Sequence, residues 1–175
     1  MKIVCASSVL FGREAFRTLG DVVVVNDYEL SNADLKGADA LIVRSKTQIT
    51  AELLRGSTLQ FVGTATAGFD HLDTDFLHYA GIAWCAAPGC NANSVSEYVA
   101  AALLCLGQRH HFELAGKTIG VVGVGQVGSR VVKKAEALGM KVLRNDPPLA
   151  LSSGGAGFMS LDDVLHEADV VTLHV

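Results

Sequence analysis

Thr118-Ile119-Gly120-Val121-Val122-Gly123-Val124-Gly125-Gln126-Val127-Gly128 is the stretch whose reading decides the fold. A strand-like run leads into glycines with the spacing G-x-G-x-x-G. Val127, Val131, Ala135 and Leu138 then recur on one stripe, the period of an amphipathic helix, which Gly139 closes. In a strand–turn–helix context each glycine has a task. Gly123 allows the tight turn, Gly125 lets the backbone approach a pyrophosphate, and Gly128 lets helix and strand pack closely. Amides of the first helical turn, including Gln126 and Val127, then face phosphates at the positive end of the helix dipole. Alone, such a motif can be a tight βα turn without a ligand. Here Asp146 stands 18 residues after Gly128, directly after the strand-like Lys141–Asn145. An acidic residue about 20 residues on is what a dinucleotide site requires. Its carboxylate accepts from the ribose hydroxyls of NAD and repels the 2′-phosphate of NADP. Two other readings stay open: Asp146 before Pro147 can open a turn, and Arg144 could accept a 2′-phosphate.

Upstream, β-rich runs at Lys2–Ala6, Val22–Val25, Ala40–Arg44, Leu59–Gly63 and Ile82–Ala86 alternate with helical segments. Arg13–Leu19, Ala51–Arg55 and Asp73–Ala80 end at Gly20, Gly56 and Gly81, which suit left-handed C-caps, and Thr50 suits an N-cap. This alternation predicts an α/β fold with parallel strands covered on both faces. After Pro88-Gly89 comes the longest helix, about Ser94 to Arg109, with Asn93 or Ser94 as cap. Its Ala100–Leu106 stretch is apolar on nearly every face, so it is expected to be buried, between two domains. His110–Gly116 connects to the glycine unit. Beyond it, Pro147–Phe158 reads as a loop, Ser160 with Asp163 as a weak capping box, and Asp169–Val175 as a last strand. A parallel strand needs cover on both faces, and no second mononucleotide half follows. The chain is therefore expected to be part of a longer protein.

Composition excludes several classes. Half of the 175 residues are hydrophobic and 18% are charged, enough apolar material for a core and too little charge for disorder. A net charge of −4 without a Lys/Arg cluster argues against a nucleic-acid partner. The longest apolar run, Val99–Leu106, is too short to span a bilayer, so no membrane partner is expected. The N-terminus has one early lysine and a short apolar run, which fits a first strand better than a signal peptide. Cys5, Cys85, Cys90 and Cys105 form no C-x-x-C pair and read as reduced thiols of a cytoplasmic protein, with no metal site expected.

Gly116–Gly128 resembles the cofactor fingerprint of the D-isomer-specific 2-hydroxyacid dehydrogenases, and the resemblance extends over essentially the whole chain. It is carried by Val43-Arg44-Ser45, Phe61-Val62-Gly63-Thr64-Ala65-Thr66-Ala67-Gly68, Asp70-His71, Ala86-Ala87-Pro88-Gly89-Cys90-Asn91-Ala92, Glu97-Tyr98-Val99 and Asp146-Pro147-Pro148. The resemblance implies a flavodoxin-like substrate domain over residues 1–92 and an interdomain helix and linker over 93–115. The first half of a Rossmann-type, doubly wound parallel-sheet NAD-binding domain would then occupy 116–175. It implies substrate contacts by Ser45 and Thr66 with a small phosphorylated hydroxyacid. There a hydroxyl donor and exposed turn amides suit a carboxylate or phosphate, and Arg44 could add charge. Taken without the resemblance, both hydroxyls read as local turn formers. Val175 matches a position whose backbone lines the cofactor cleft.

The resemblance further implies that the family's catalytic Arg, Glu and His lie beyond Val175, and that the full-length protein is a homodimer. None of the six histidines matches the catalytic one. Most read as surface or helix-end residues, and His174 alone is placed near the cofactor. The first loop, Ala6-Ser7-Ser8-Val9-Leu10, lacks the acidic and amide residues that family tends to carry. The function implied is NAD-dependent oxidation of a phosphorylated 2-hydroxyacid to its 2-oxo acid. The alternatives are another hydroxyacid of the same class, or a nucleotide-binding module without catalysis. A methyltransferase using the glycine turn would leave the matches before residue 93 unexplained.

Overall fold

The structure, a computed structural model, describes residues 1–175. It divides into two compact units, Met1–Cys90 and Asn91–Val175.

The first unit is a five-stranded sheet of β1 (Lys2–Ala6), β2 (Asp21–Val25), β3 (Ala40–Val43), β4 (Phe61–Thr64) and β5 (Ala83–Cys85), in the order β2-β1-β3-β4-β5. Every pairing is parallel, and the order is that of a flavodoxin-like doubly wound sheet. β3 is buried at all four positions, as a central parallel strand covered on both faces must be. Val4, Leu41, Val43, Val62 and Leu77 are fully buried in one core cluster. Burial of each such side chain contributes about 1.5–3 kcal/mol. The short helices are α1 (Gly12–Phe16), α2 (Ala51–Leu54) and α3 (Thr74–Tyr79). Thr50 caps α2 by accepting from the Leu53 amide at 3.2 Å, as read from the sequence.

The second unit is a three-stranded parallel sheet, β7-β6-β8, from β6 (Thr118–Val122), β7 (Lys141–Asn145) and β8 (Val170–Leu173). Four helices accompany it: α4 (Ala92–His110), α5 (Gly128–Ala137), α6 (Pro147–Ser153) and α7 (Leu161–Glu167). α5 buries Val131, Val132 and Ala135, with Val127 and Leu138 partly buried at the ends of the same stripe. No helix is long and apolar enough to cross a membrane. All four cysteines are free thiols, and only Cys5 is buried.

Several local expectations are corrected. Gly56, Gly81 and Gly139 take positive φ, but Gly20 does not. Gly20 is needed for space, since a Cβ there would overlap the Met1 carbonyl. α4 begins two residues earlier than read, after Asn91, and neither Asn93 nor Ser94 caps it. Asn93 bonds Glu97 instead, at 2.7 Å. Within its unit α4 is also not buried all round. It buries Leu103 and Gly107 and exposes Tyr98, Leu104 and Leu106. The expected loop after Asp146 opens with α6.

Candidate functional site

In the second unit the glycine turn lies where the sequence places it, between β6 and α5. Gly123 has φ +83°, a conformation that side chains other than glycine rarely adopt, and a Cβ there would lie 2.5 Å from the His174 carbonyl. At Gly128 a Cβ would overlap the Gly123 carbonyl oxygen, so only glycine lets α5 start against the turn. Gly125 is the opposite case: nothing lies within 4 Å of its Cβ position. The turn is therefore packed on its protein side and open at Gly125. The Gly123 amide bonds the Asn145 carbonyl at 2.8 Å, and Val124 donates to Asp146. No acceptor within the chain takes the amides of Gly125, Gln126 or Val127. Three free donors at the start of a ten-residue helix fit a pyrophosphate.

Asp146 follows β7 and faces this turn. Its Oδ2 accepts from the Val124 amide at 2.8 Å, and its Oδ1 caps α6 through the Leu149 amide at 3.0 Å. The turn-opening reading of this residue thus finds a counterpart, and the same carboxylate also bonds the glycine turn. Two bonds leave a carboxylate with lone pairs for ribose hydroxyls. Arg144 is engaged elsewhere, ion-paired to Glu136 of α5 at 2.7 Å. A cleft of about 300 Å³ is lined by Gly123, Gly125, Asp146, His174 and Val175. Val175 reaches its rim, its Cγ1 3.1 Å from the Cβ position of Gly123. His174 Nε2 lies 3.0 Å from the Thr172 hydroxyl, and burial pushes its pKa down.

In the first unit, β3 and β4 are neighbours, with Val43 opposite Thr64. Ser45 and Thr66 each follow that pair by two residues, so the topology brings both to one carboxyl edge of the sheet. Ser45 is exposed in the turn after β3 and Thr66 is half-buried. The Thr66 hydroxyl, read as a donor for an anion, is used internally. It donates to the Gly68 carbonyl at 2.7 Å and lies 2.7 Å from the Thr64 hydroxyl. Arg44 Nη1 reaches the Ser8 carbonyl at 3.4 Å and takes part in neither of the chain's two ion pairs.

Two residues of this edge escaped the sequence reading. Asp27, only 7% exposed, fastens the first loop by accepting from the Ser7 hydroxyl and the Ser8 amide, each at 2.8 Å, and from the Ser8 hydroxyl. Burial alone would raise its pKa, but the bonds from Ser8 and Ser7 outweigh it and hold the carboxyl below the usual aspartate value. The second is His71, one of six histidines of which most read as surface or helix-end residues, but only 6% exposed. Its Nε2 lies 2.8 Å from the Thr64 hydroxyl. Burial lowers its pKa, against a smaller opposing effect of Asp70. The Asp70-His71 pair in the sequence pointed there, but only strand adjacency shows what the imidazole meets.

Comparison with known proteins fits this geometry. Residues 5–171 match the family model described as D-isomer specific 2-hydroxyacid dehydrogenase, catalytic domain. The erythronate-4-phosphate dehydrogenase of Cronobacter sakazakii is 48% identical over 174 residues, covering 99% of this chain and 46% of that protein. The chain thus spans about half the length of the curated relatives it matches. Among solved structures, the TT0316 protein of Thermus thermophilus superposes with a TM-score of 0.85 at 26% identity, over 100% of this chain and 65% of that one. The NAD⁺-bound 3-phosphoglycerate dehydrogenase of Entamoeba histolytica gives 0.80 at 30% identity, over 100% and 62%. On these findings the chain belongs to the D-isomer specific 2-hydroxyacid dehydrogenase family.

Proposed function

We propose that this chain provides the NAD-binding turn and the substrate-holding edge of an NAD-dependent dehydrogenase. The reaction would oxidise 4-phospho-D-erythronate to its 2-oxo acid, within pyridoxal 5′-phosphate biosynthesis. The observation that carries the substrate is the 48% identity to an erythronate-4-phosphate dehydrogenase across 99% of the chain. The relative from Entamoeba histolytica, whose structure holds NAD⁺, supports the cofactor. So do the free amides at Gly125–Val127 and the Asp146 carboxylate. NAD, when bound, supplies the hydride acceptor. The residues around it bind and orient. The amides of Gly125, Gln126 and Val127 would hold the pyrophosphate, and Asp146 the adenosine ribose. Val175 and His174 would form the wall next to Gly123.

In the first unit we place the substrate at Ser45 and Thr66, with Arg44 as the nearby cation. We assign residues 1–92 to the substrate domain, 93–115 to the interdomain helix and linker, and 116–175 to the NAD domain. Proton transfer is assigned to groups outside these residues. Homodimer formation by the full-length protein and a cytoplasmic setting belong to the same proposal. The test is NADH formation from 4-phospho-D-erythronate, comparing residues 1–175 with a form continued to the length of the relatives. The longer form is expected to turn over and the shorter one not to. Positioned acid–base groups alone contribute about 10²–10⁴-fold. Robust turnover by the shorter form, or a longer form that prefers a different hydroxyacid, would contradict the proposal.

A further inference from the structure

Four groups at the carboxyl edge of the first sheet form one hydrogen-bonded chain: His71 Nε2, Thr64 Oγ1, Thr66 Oγ1 and the Gly68 carbonyl, at 2.8, 2.7 and 2.7 Å. The last member sets its direction. A carbonyl can only accept, so the Thr66 proton points to Gly68. A hydroxyl has one proton, so Thr66 must accept from Thr64. Thr64 has then spent its own proton and must accept from His71. The imidazole therefore carries its proton on Nε2. His71 and Thr64 are buried, 6% and 4% exposed, and Thr66 is the only side chain of the three that reaches solvent. Burial disfavours the charged imidazole, which leaves the neutral Nε2–H form.

Oriented this way, Thr66 Oγ1 offers a ligand one thing, an unused lone pair. A phosphate or carboxylate oxygen set against it would be acceptor facing acceptor. A hydroxyl would be matched. Resting on the reading that Thr66 lies in the substrate site, we infer that His71 is a positioning residue which, through Thr64, makes Thr66 select a hydroxyl of the substrate rather than one of its anionic oxygens. The proposed substrate carries two hydroxyls between its carboxylate and its phosphate. The anionic ends are left to Arg44 and to exposed amides.

The direction of the chain is tested by long-range ¹H–¹⁵N NMR of the imidazole in residues 1–175, at a pH where His71 is neutral. The Nε2–H tautomer is expected. The Nδ1–H tautomer, with Nε2 accepting, reverses the chain and overturns the proposal. Selection is tested by calorimetry with 4-phospho-D-erythronate and its 2-deoxy and 3-deoxy analogues. One analogue is expected to bind about tenfold more weakly, the scale of a single hydrogen bond. Thr66→Val and His71→Leu should each abolish that difference. His71→Gln, which keeps a donor, should retain it. Thr64→Val interrupts the chain in the middle and should also abolish it, which covers a His71→Leu variant that fails to fold. Full discrimination in folded His71→Leu or in Thr64→Val would show a merely structural histidine and sink the proposal. Equal binding of all three ligands by the unsubstituted protein would overturn the hydroxyl assignment, even with the Nε2–H tautomer in place. An unchanged affinity of Thr66→Val for 4-phospho-D-erythronate would instead remove Thr66 from the substrate site and overturn the reading beneath the proposal.

Discussion

Both units gather their candidate groups at the carboxyl ends of parallel strands, where open α/β sheets bind ligands, yet the two edges are made of different material. In the second unit the site is backbone. Gly123 is held in a left-handed turn, Gly128 is packed against a carbonyl, and the amides at Gly125–Val127 face outward. Asp146 bonds that turn through the Val124 amide. In the first unit the site is a web of polar side chains: Asp27 reaching back to Ser7 and Ser8, and His71 with its near neighbours Thr64 and Thr66. A backbone site tolerates almost no Cβ but many neighbours. A side-chain site depends on particular polar partners being satisfied.

That contrast can be broken by substitution, and the largest effect is expected at Gly128. Gly128→Ala must displace the Gly123 carbonyl, at a cost of about 1–3 kcal/mol or more. Denaturant unfolding measures it, and an unchanged midpoint would show that the turn is not packed as described. Gly125→Ala sharpens the same comparison. With nothing within 4 Å, stability should change by less than about 1 kcal/mol while NAD affinity falls about tenfold or more. Equal loss of stability at both glycines would erase the distinction between the packed and open sides.

On the side-chain edge, Asp27→Ala strands the Ser8 amide and two hydroxyls and should cost about 1–3 kcal/mol. Because the native carboxyl is held below its unfolded value of about 3.9, its stabilisation is full above that pH and is lost as pH falls through the native value. The deficit of the variant should therefore shrink in acid, and a deficit independent of pH would refute the carboxylate's role.

His71 gives the smallest effect. Its native pKa lies below the unfolded value of about 6.5, so the folded state binds fewer protons there. Stability is then full above that pH and declines below it, toward the native value. His174 adds in the same direction. His71→Gln should flatten part of the decline below the unfolded value of about 6.5. Unfolding curves across that range would show an unaltered slope if His71 were exposed.

The same contrast explains what was legible in advance. Gly123, Gly125 and Gly128 announce a turn because each spacing answers a local steric demand. Asp146 announces itself by its distance from them. The parallel sheet follows from apolar runs alternating with helices closed by glycine. α6 was legible too, since Asp146-Pro147 is an N-cap followed by a proline in the first turn, but the glycines and serines after it suggested a loop. Gly20 misled because a glycine kept for space looks the same in sequence as one kept for positive φ. Asp27 could not be read, because nothing in sequence states that the loop after β2 lies over the loop after β1, and Asp70-His71 drew notice without showing that residue 71 bonds Thr64 of β4.

The central claim is that the glycine turn and Asp146 form a site for NAD rather than NADP. Calorimetric titration of the protein with each dinucleotide, repeated on Asp146→Ala, tests it most directly. The account predicts tighter binding of NAD. It also predicts that the variant loses about 1–3 kcal/mol of NAD affinity together with most of the preference. NADP bound as tightly as NAD by the unsubstituted protein, or a preference that survives Asp146→Ala, would contradict it.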